Sequence, residues 1–437
     1  MTDSRAMTRL LQFPLLEAIF GRRSRRFGLG MEIPSGPLAF KSQSLPYPLS
    51  ELEQAILVAA GTGVSGWNFG VPFSPNQPRK HADLTERFTG RTAPTAAGIG
   101  TPVLFYTDDE GTYLTNTRDV HPARVRESIE TEDDVKRIMT GCREHTVRLT
   151  TTRLDLPSAA PHMLEPNVWM ANAPGSMFSM PMGDASEEFL GLLAVFVAHG
   201  YVIADDQAKQ PAGRLTPFIR SGLLDESKVF PLSVLEKITY EAICTELAFM
   251  AHNMVLTMQA MGLGGLYYTG LNRWSIMGAF AEEGINGLGL RFVEDERWTV
   301  PNPVGLDGVF EALCPPYYPD MRSAVQAFVE RKFGPGGAYD PAVAGPWKHS
   351  PEVKRSVEPY SDEFIDCLGE IAQYVYEKRG KFPGTITTLV LPGFVQAHHI
   401  DTEFYDACYQ PGVYLEVHAD HMHRWHGTGS GPGPQFR

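Results

Sequence analysis

The sequence predicts a protein that mixes helices with antiparallel strands and is organised around one long helix. Residues 233–261 contain no helix-breaking residue, and Gly262 follows at a position where helices commonly end. The second half of this stretch is apolar on nearly every face, which is typical of a helix buried in a core or an interface. Residues 101–106 and a segment from Thr112 are strand-like and flank a turn at 108–111, so they predict a hairpin.

The beginning of the long helix carries a capping pattern. Ser233 is followed three positions later by Glu236. In a capping box, each of these side chains accepts a hydrogen bond from a backbone N–H that the first turn leaves free. We therefore expect the helix to begin at Ser233 with this box.

Composition limits the classes of protein to consider. The 437 residues are 43% hydrophobic and 20% charged, and the formal net charge of -13 argues against a general nucleic-acid surface. No apolar run approaches the roughly 20 residues of a membrane span. The five cysteines show no CxxC spacing, and the first residues lack the pattern of a signal peptide. We expect a cytoplasmic protein that binds neither nucleic acid nor membrane.

A basic segment follows the first predicted helix, residues 8–20, in which Pro14 predicts a kink or a late start. Four arginines surround one serine: Arg22, Arg23, Ser24, Arg25 and Arg26. So many like charges are costly unless an anion lies among them, and guanidinium groups suit phosphate. The alternative is a solvated basic turn or a tail that contacts RNA.

A second polar loop follows a predicted helix at residues 51–60, which Ser50 caps and Gly61 ends. The loop contains Ser65 and Asn68. An asparagine in such a loop is usually a turn former, but its amide can also bond the edge of a heteroaromatic ring.

These segments, in this order, resemble the landmarks of the nitroreductase-like FMN-dependent flavoprotein superfamily. The three landmarks are the arginine-serine segment, the Ala-Ala-Gly helix end with Ser65 and Asn68, and the long helix that ends in Met261-Gly262-Leu263-Gly264. The resemblance implies an α+β fold of three layers, a nitroreductase-like sandwich in which helices flank a mixed or antiparallel sheet. It also implies a homodimer with FMN at the interface.

The resemblance further implies where FMN binds. The phosphate and the pyrimidine side of the flavin ring are expected to be bound by Arg22, Arg23, Ser24 and Arg26. The loop is expected to contribute Ser65 and Asn68 to the cofactor site. The turn after the long helix presents backbone N–H groups to the N5 and O4 edge of the flavin, which maps onto Tyr268, Thr269 and Gly270. Arg322 is the candidate for a further basic residue at the phosphate. The sequence departs from the family where Arg25 and Phe27 follow Ser24 closely and where Gly70-Val71-Pro72 replaces Gln-Pro-Trp.

An enzyme of this family moves two electrons through flavin N5 to or from a flat aromatic or heterocyclic substrate, with NADPH or NADH as reductant. We consider Tyr267, Tyr268 and Tyr317 as proton donors, with a C-terminal histidine as a further candidate. The long insertion favours a dedicated substrate. Two alternatives remain: a metal-dependent enzyme that uses iron or zinc on the same fold, and a non-catalytic protein that binds flavin or another ligand.

The predicted organisation has five parts. They are residues 1–119 as the N-terminal part of the FMN-binding core, 120–232 as an inserted lid or subdomain, 233–333 as the central helix and the rest of the core, 334–426 as a C-terminal extension that wraps the partner or the site, and 427–437 as a disordered tail. Thickening of the dimer is the alternative role of the insertion. Further helices are predicted at 131–140, 186–199, 272–281, 321–333 and 361–378, and strands at 146–154 and around 302–313.

The C-terminal part is rich in potential metal ligands. They are His398, His399, Asp401, Glu403, His418, Asp420, His421, His423 and His426. Imidazole with carboxylate suits zinc and non-haem iron, but no pair shows the HExxH spacing. We favour histidines that line a substrate pocket in a segment wrapping a partner subunit, and assign no metal ligand. The alternative metal set is His398, His399, His418, His421 and His423.

Overall fold

The computed structural model describes residues 2–72, 85–95, 98–127 and 131–427. The tail that the sequence predicts to be disordered lies, from residue 428 on, outside the described residues. Within the described ranges, no helix combines the length and the apolar character that crossing a membrane requires.

Helices and strands are interspersed along the described part of the chain. The helices of the described part are α1 Thr2–Leu11, α2 Leu15–Gly21, α3 Glu51–Thr62, α4 Glu132–Glu144, α5 Ala185–Ala198, α6 Thr216–Arg220, α7 Leu232–Met261, α8 Arg273–Met277, α9 Met321–Phe333, α10 Ser350–Arg355, α11 Asp362–Arg379, α12 Thr402–Cys408, α13 Glu416–Ala419 and α14 His421–His426. The strands are β1 Glu32–Ile33, β2 Phe40–Lys41, β3 Val64–Trp67, β4 Thr89–Arg91, β5 Val103–Thr107, β6 Thr112–Thr115, β7 Thr146–Thr150, β8 Met177–Asp184, β9 Tyr201–Asp205, β10 Gln210–Pro211, β11 Asp225–Pro231, β12 Gly264–Tyr268, β13 Arg291–Val293, β14 Asn302–Leu306, β15 Phe310–Glu311, β16 Leu389–Val390 and β17 Phe394–His398.

A seven-stranded antiparallel sheet forms the centre of the molecule. Its strand order is β12-β17-β8-β5-β6-β7, and β16 pairs with β8 outside this path. Strand β8 is buried along its whole length, because it lies between β5 and β17 and both of its faces are covered. The predicted α+β class, with helices flanking an antiparallel sheet, is confirmed.

Helices cover both faces of this sheet. Side chains alternate between the two faces of a strand. On one face, Leu104, Met177 and Val395 belong to a hydrophobic cluster that includes residues of α3, α4 and α7. On the other face, Phe105 and Phe178 belong to a larger cluster with residues of α5, α9 and α11. The sheet is therefore the middle of three layers.

The long helix α7 ends where the sequence predicts. Gly262 adopts a left-handed conformation with φ 86°, and the chain enters β12 two residues later. Buried residues of the apolar half, such as Met254, pack on α3 and on the sheet of the same chain, whereas Phe249 stays 42% exposed. Burial within the chain thus accounts for much of the apolar pattern.

The capping box predicted at Ser233 and Glu236 is wrong. The helix begins one residue earlier, and the N–H and hydroxyl of Ser233 donate to Asp206. Glu236 is buried and accepts hydrogen bonds from the N–H and hydroxyl of Thr385. Both partners lie far away in the sequence, so the local pattern did not reveal them.

Most other predicted elements are present. The hairpin is formed by β5 and β6, helix α9 has the predicted bounds, and Ser361 caps α11. Ser50 and Glu53 form a capping box at α3, which ends at Thr62 instead of residue 60. Pro14 separates α1 from α2, and α8 stops at Met277, because Gly278 takes a left-handed conformation.

The proposed boundaries between core, insertion and extension remain predictions. The segment 120–232 nevertheless does not form a separate layer, because its strands β7 and β8 lie in the central sheet. Strand β17, from the segment 334–426, also lies in that sheet, between β12 and β8. Segments that are distant in sequence therefore build one sheet together.

Replacing the glycine at the end of α7 should be unusually costly. Gly284 has nearly the same φ as Gly262, 84°, but open space around it, so Gly284→Ala should cost about 1–2 kcal/mol of backbone strain. A Cβ at Gly262 would collide with the carbonyl of Val417. Gly262→Ala should therefore lose about 1–3 kcal/mol more than the control in urea unfolding. Equal losses in the two variants would contradict this interpretation.

Candidate functional site

The arginine segment forms an extra edge beside the central sheet. Helix α2 ends at Gly21, and Arg25 makes an antiparallel bridge to Gly265 of β12, whose N–H donates to the Arg25 carbonyl at 2.7 Å. In this extended backbone, exposure alternates: Ser24 and Arg26 are exposed, whereas Arg25 and Phe27 are buried. The segment thus sends one of its arginines into the interior.

The guanidinium group of Arg25 is buried among neutral acceptors. It donates to the carbonyl of Val413 at 2.9 Å, to Gln259 Oε1 at 2.9 Å and to the carbonyl of Gly21 at 3.2 Å. The residue is 4% exposed, and no described carboxylate lies within ion-pair distance of it. Burial lowers the pKa of Arg25 to about 10, and the charges of Arg23 and Arg22 act in the same direction. The positive charge therefore has no anionic partner in this part of the chain.

A cavity of about 720 Å³ opens beside this segment. We call it the arginine cleft: it is lined by Arg23, Ser24, Arg25 and Arg26 and by the aromatic residues Phe20, Phe27, Trp169, Phe404, Tyr405 and Tyr409. The rings of Phe27 and Phe404 stack at 4.1 Å, and the hydroxyl of Tyr405 accepts a hydrogen bond from the N–H of Phe27 at 3.0 Å. Cations and aromatic faces together suit an anion that carries a flat ring.

The predicted loop residues lie elsewhere in the single chain. Ser65 is in β3, and Asn68 lines a separate cavity of about 290 Å³ that reaches Glu246 of α7. Arg25 contacts the same helix at Gln259, thirteen residues further on, which corresponds to about 20 Å along the helix axis. One chain therefore does not bring Asn68 and the arginines into one cavity.

The predicted turn residues follow β12. Tyr268 is buried and its hydroxyl donates to Gln396 Oε1 at 3.3 Å, whereas Tyr267 and Thr269 are exposed. The carbonyl of Gly270 accepts from the N–H of Leu164 and from Asn167 Nδ2, both at 3.1 Å. None of these residues lines the arginine cleft.

Two further predicted residues also have partners outside the cleft. The hydroxyl of Tyr317 donates to Asp307 Oδ1 at 2.7 Å, and burial raises the pKa of this tyrosine. Arg322 forms an ion pair with Glu370 at 2.6 Å.

Arg22 lies next to the cleft, and Arg23 donates to the carbonyls of Phe20 and Arg22. The roles assigned to these residues remain predictions.

A buried cluster of metal-ligand type lies at the start of α3. We call it the His₃Glu cluster: Glu53, His399, His421 and His426, whose ligand atoms all lie within 4.8 Å of one another. Glu53 Oε1 is 3.3 Å from His399 Nε2, 2.7 Å from His421 Nε2 and 3.3 Å from His426 Nε2. The Nε2 atoms of His399 and His426 are 3.2 Å apart.

Contacts from outside the cluster orient its side chains. His399 Nδ1 lies 2.8 Å from the carbonyl of Tyr47, and His421 Nδ1 lies 2.8 Å from the carbonyl of Met261. A carbonyl oxygen only accepts, so both Nδ1 atoms carry the hydrogen. The capping box at α3 holds Glu53 Oε2, which accepts from the N–H and the hydroxyl of Ser50 at 2.7 Å each. The remaining oxygen, Oε1, therefore faces the rings.

The environment of Glu53 keeps it ionised. Burial alone would raise the pKa of this carboxyl, but polar contacts with the three imidazole rings hold it well below its usual value. Burial also lowers the pKa of His421. The cluster therefore combines a carboxylate with one ring, that of His421, that burial disfavours as a cation.

The structure brings together only part of the alternative metal set predicted from the sequence. The structure brings His399 and His421 together, but His398 is buried beside Gly28 and Gly264 and is not among the four. His418 Nδ1 accepts the N–H of Leu415, and His423 is exposed. The set also missed two members, Glu53 and His426. Glu53 lies in a helix-capping pattern, and nothing in that pattern indicates that its second oxygen is buried.

Comparisons with known proteins give little further information. No family model matches this chain, and no curated protein matches it. Matching solved structures include one described as "a putative nitroreductase" from Ralstonia eutropha JMP134, with 13% identity, coverage of 59% of this chain and 71% of that chain, and a TM-score of 0.27. At this score, the likeness carries no argument about activity.

The stack of Phe404 on Phe27 should be important for stability as well as for the cleft. Both rings are almost fully buried. Phe404→Ala should therefore lower the free energy of unfolding by about 3–5 kcal/mol, measured by urea denaturation. Phe69→Ala is the matched control, because this ring is 70% exposed, and should cost less than about 0.5 kcal/mol. A loss at Phe404 no greater than the control would show that the stack is not formed.

Proposed function

We propose that this protein is an FMN-dependent oxidoreductase that binds its cofactor in the arginine cleft. The observation that carries the proposal is the buried guanidinium of Arg25, whose partners among the described residues are all neutral. A buried charge is costly unless it is paired, and the cost falls when an anion binds beside it. The phosphate of FMN is such an anion, and the aromatic walls suit the flat ring.

Three arginines of the cleft would bind the phosphate of FMN in different ways. Arg25 is fixed by Val413, Gln259 and Gly21 and therefore offers a preorganised charge. Arg23 and Arg26 are exposed at the cleft, and Arg23 would exchange its hydrogen bonds to the carbonyls of Phe20 and Arg22 for one to a phosphate. Bound FMN would supply two-electron transfer through its N5 atom.

The cleft is large enough for such a ligand. Its volume of about 720 Å³ lies within the range of roughly 300–1,000 Å³ typical of cofactor pockets. We further propose a flat aromatic or heterocyclic substrate and NADPH or NADH as reductant. Tyr405 and Tyr409 are phenols that line the cleft, so they join Tyr267, Tyr268 and Tyr317 as candidate proton donors.

We also propose that the enzyme is a homodimer. Helix α2 exposes Leu15, Leu16, Ile19 and Phe20 at 41–70%, and Phe20 borders the cleft. An apolar patch of this kind, next to a binding site, is typical of a surface that another molecule covers. Asn68 and Ser65 would join the arginines only if a second copy of the chain brought them there.

An absorption spectrum with and without added FMN tests the cofactor. The purified protein should be yellow or take up FMN on titration. Arg26→Gln removes one exposed cation from the cleft and should weaken FMN binding about 10–100-fold, since a hydrogen bond to a charged group contributes about 1.5–3 kcal/mol. Arg220→Gln, an exposed arginine that does not line the cleft, should bind FMN like the unchanged protein.

Two kinds of result would contradict the proposal of an FMN-dependent enzyme. A colourless protein that takes up no FMN, or equal affinities for Arg26→Gln and Arg220→Gln, would contradict the proposed binding site. Tight FMN binding without oxidation of NADPH or NADH, for any flat acceptor, would favour the non-catalytic alternative.

Light scattering after size exclusion tests the dimer. Leu16→Glu places a charge in the apolar patch of α2 and should shift the protein to a monomer. Leu45→Glu alters a residue that is 85% exposed outside this helix and should leave the dimer unchanged. A monomeric unchanged protein would contradict the proposal.

A further inference from the structure

Three of the distances in the His₃Glu cluster match those of a tetrahedral metal site. Bonds of about 2.0–2.1 Å from zinc to nitrogen or oxygen place the ligand atoms of a tetrahedron about 3.3–3.4 Å apart. Three of the separations in the cluster are 3.2–3.3 Å, and they join Glu53, His399 and His426 in a triangle. The fourth ligand atom, His421 Nε2, is closer to Glu53 Oε1, at 2.7 Å. The ring of His421, whose Nε2 lies within 4.8 Å of the other ligand atoms, would have to shift to complete the tetrahedron.

A hydrogen on His426 Nε2 can serve the contacts of that atom with Glu53 and His399, but not the contact of His421 with Glu53. Because Nδ1 of His399 and of His421 carries a hydrogen, a ring with no second hydrogen presents the lone pair of Nε2 to the carboxylate. His421 Nε2 is buried and lies 2.7 Å from Glu53 Oε1. The 2.7 Å contact therefore needs either a proton or a metal ion between His421 Nε2 and Glu53 Oε1.

We propose that Glu53, His399, His421 and His426 bind one divalent cation of the zinc type. Three imidazoles and one carboxylate are ligands that zinc accepts, and they fill all four tetrahedral positions. The second oxygen of Glu53 is occupied by Ser50. With no position left for water or substrate, the site is structural and not catalytic.

The cation would join segments that are far apart in sequence. Glu53 is separated from His399 by 346 residues and from His426 by 373. Between the ligands His399 and His421 runs the part of the chain that supplies Phe404, Tyr405 and Val413 to the arginine cleft. The metal would thus fix both ends of this wall against α3, whichever ligand the cleft holds.

Metal analysis of the full chain, purified without a histidine tag, tests the site. The protein should contain one zinc per chain after dialysis against metal-free buffer. Removal by a strong chelator should lower the melting temperature, and Zn²⁺ should restore it whereas Mg²⁺ should not. Cobalt(II) in place of zinc should give the intense visible absorption of a tetrahedral ion, which reports the geometry without any activity measurement.

Variants identify the ligands. His426→Ala, at the least buried ligand, and Glu53→Gln should each lose the metal and the cobalt absorption. His423→Ala is the matched control on the same helix α14 and should keep both. A protein that binds no zinc or cobalt and melts at the same temperature with and without them would show that only protons bridge the cluster and would overturn the proposal. Loss of metal in His423→Ala, or its full retention in both ligand variants, would overturn it equally.

Discussion

The left-handed turn at Gly262 is the constraint on which both candidate sites depend. Just before it, Gln259 holds the guanidinium of Arg25, and the carbonyl of Met261 accepts a hydrogen bond from His421. Just after it, Gly265 pairs with the backbone of Arg25. A residue with a side chain would be strained at φ 86° and would collide with α13. Glycine at this position therefore allows Arg25, His421 and β12 to pack together at the end of α7.

The two sites share one segment of the chain, the residues between His399 and His426. Helix α12 supplies Phe404 and Tyr405 to the wall of the arginine cleft, and α14 carries two members of the His₃Glu cluster. The opposite wall comes from the N-terminal arginine segment. Affinity for a ligand in the cleft should therefore follow the integrity of the cluster, because the same segment must be held in place for both.

The sequence predicted those features that depend on neighbouring residues. The end of α7 at Gly262, the hairpin of β5 and β6 and the bounds of α9 follow from local turn and capping chemistry. The partners of Ser233 and Glu236, and the meeting of Glu53 with His421, depend on residues far away in the chain. The sequence leaves the arginine segment open between an anion site and a solvated turn. Only the structure shows that Arg25 alone of these arginines is buried and that no described carboxylate pairs with it.

Whether the arginine cleft holds FMN is tested most directly by a crystal structure of the full chain grown with FMN. The proposed function predicts that the phosphate lies within hydrogen-bond distance of Arg25 or Arg26 and that the ring lies against the aromatic wall that includes Phe404. FMN bound in the cavity beside Asn68 with the arginine cleft empty, or no FMN bound at all, would contradict it.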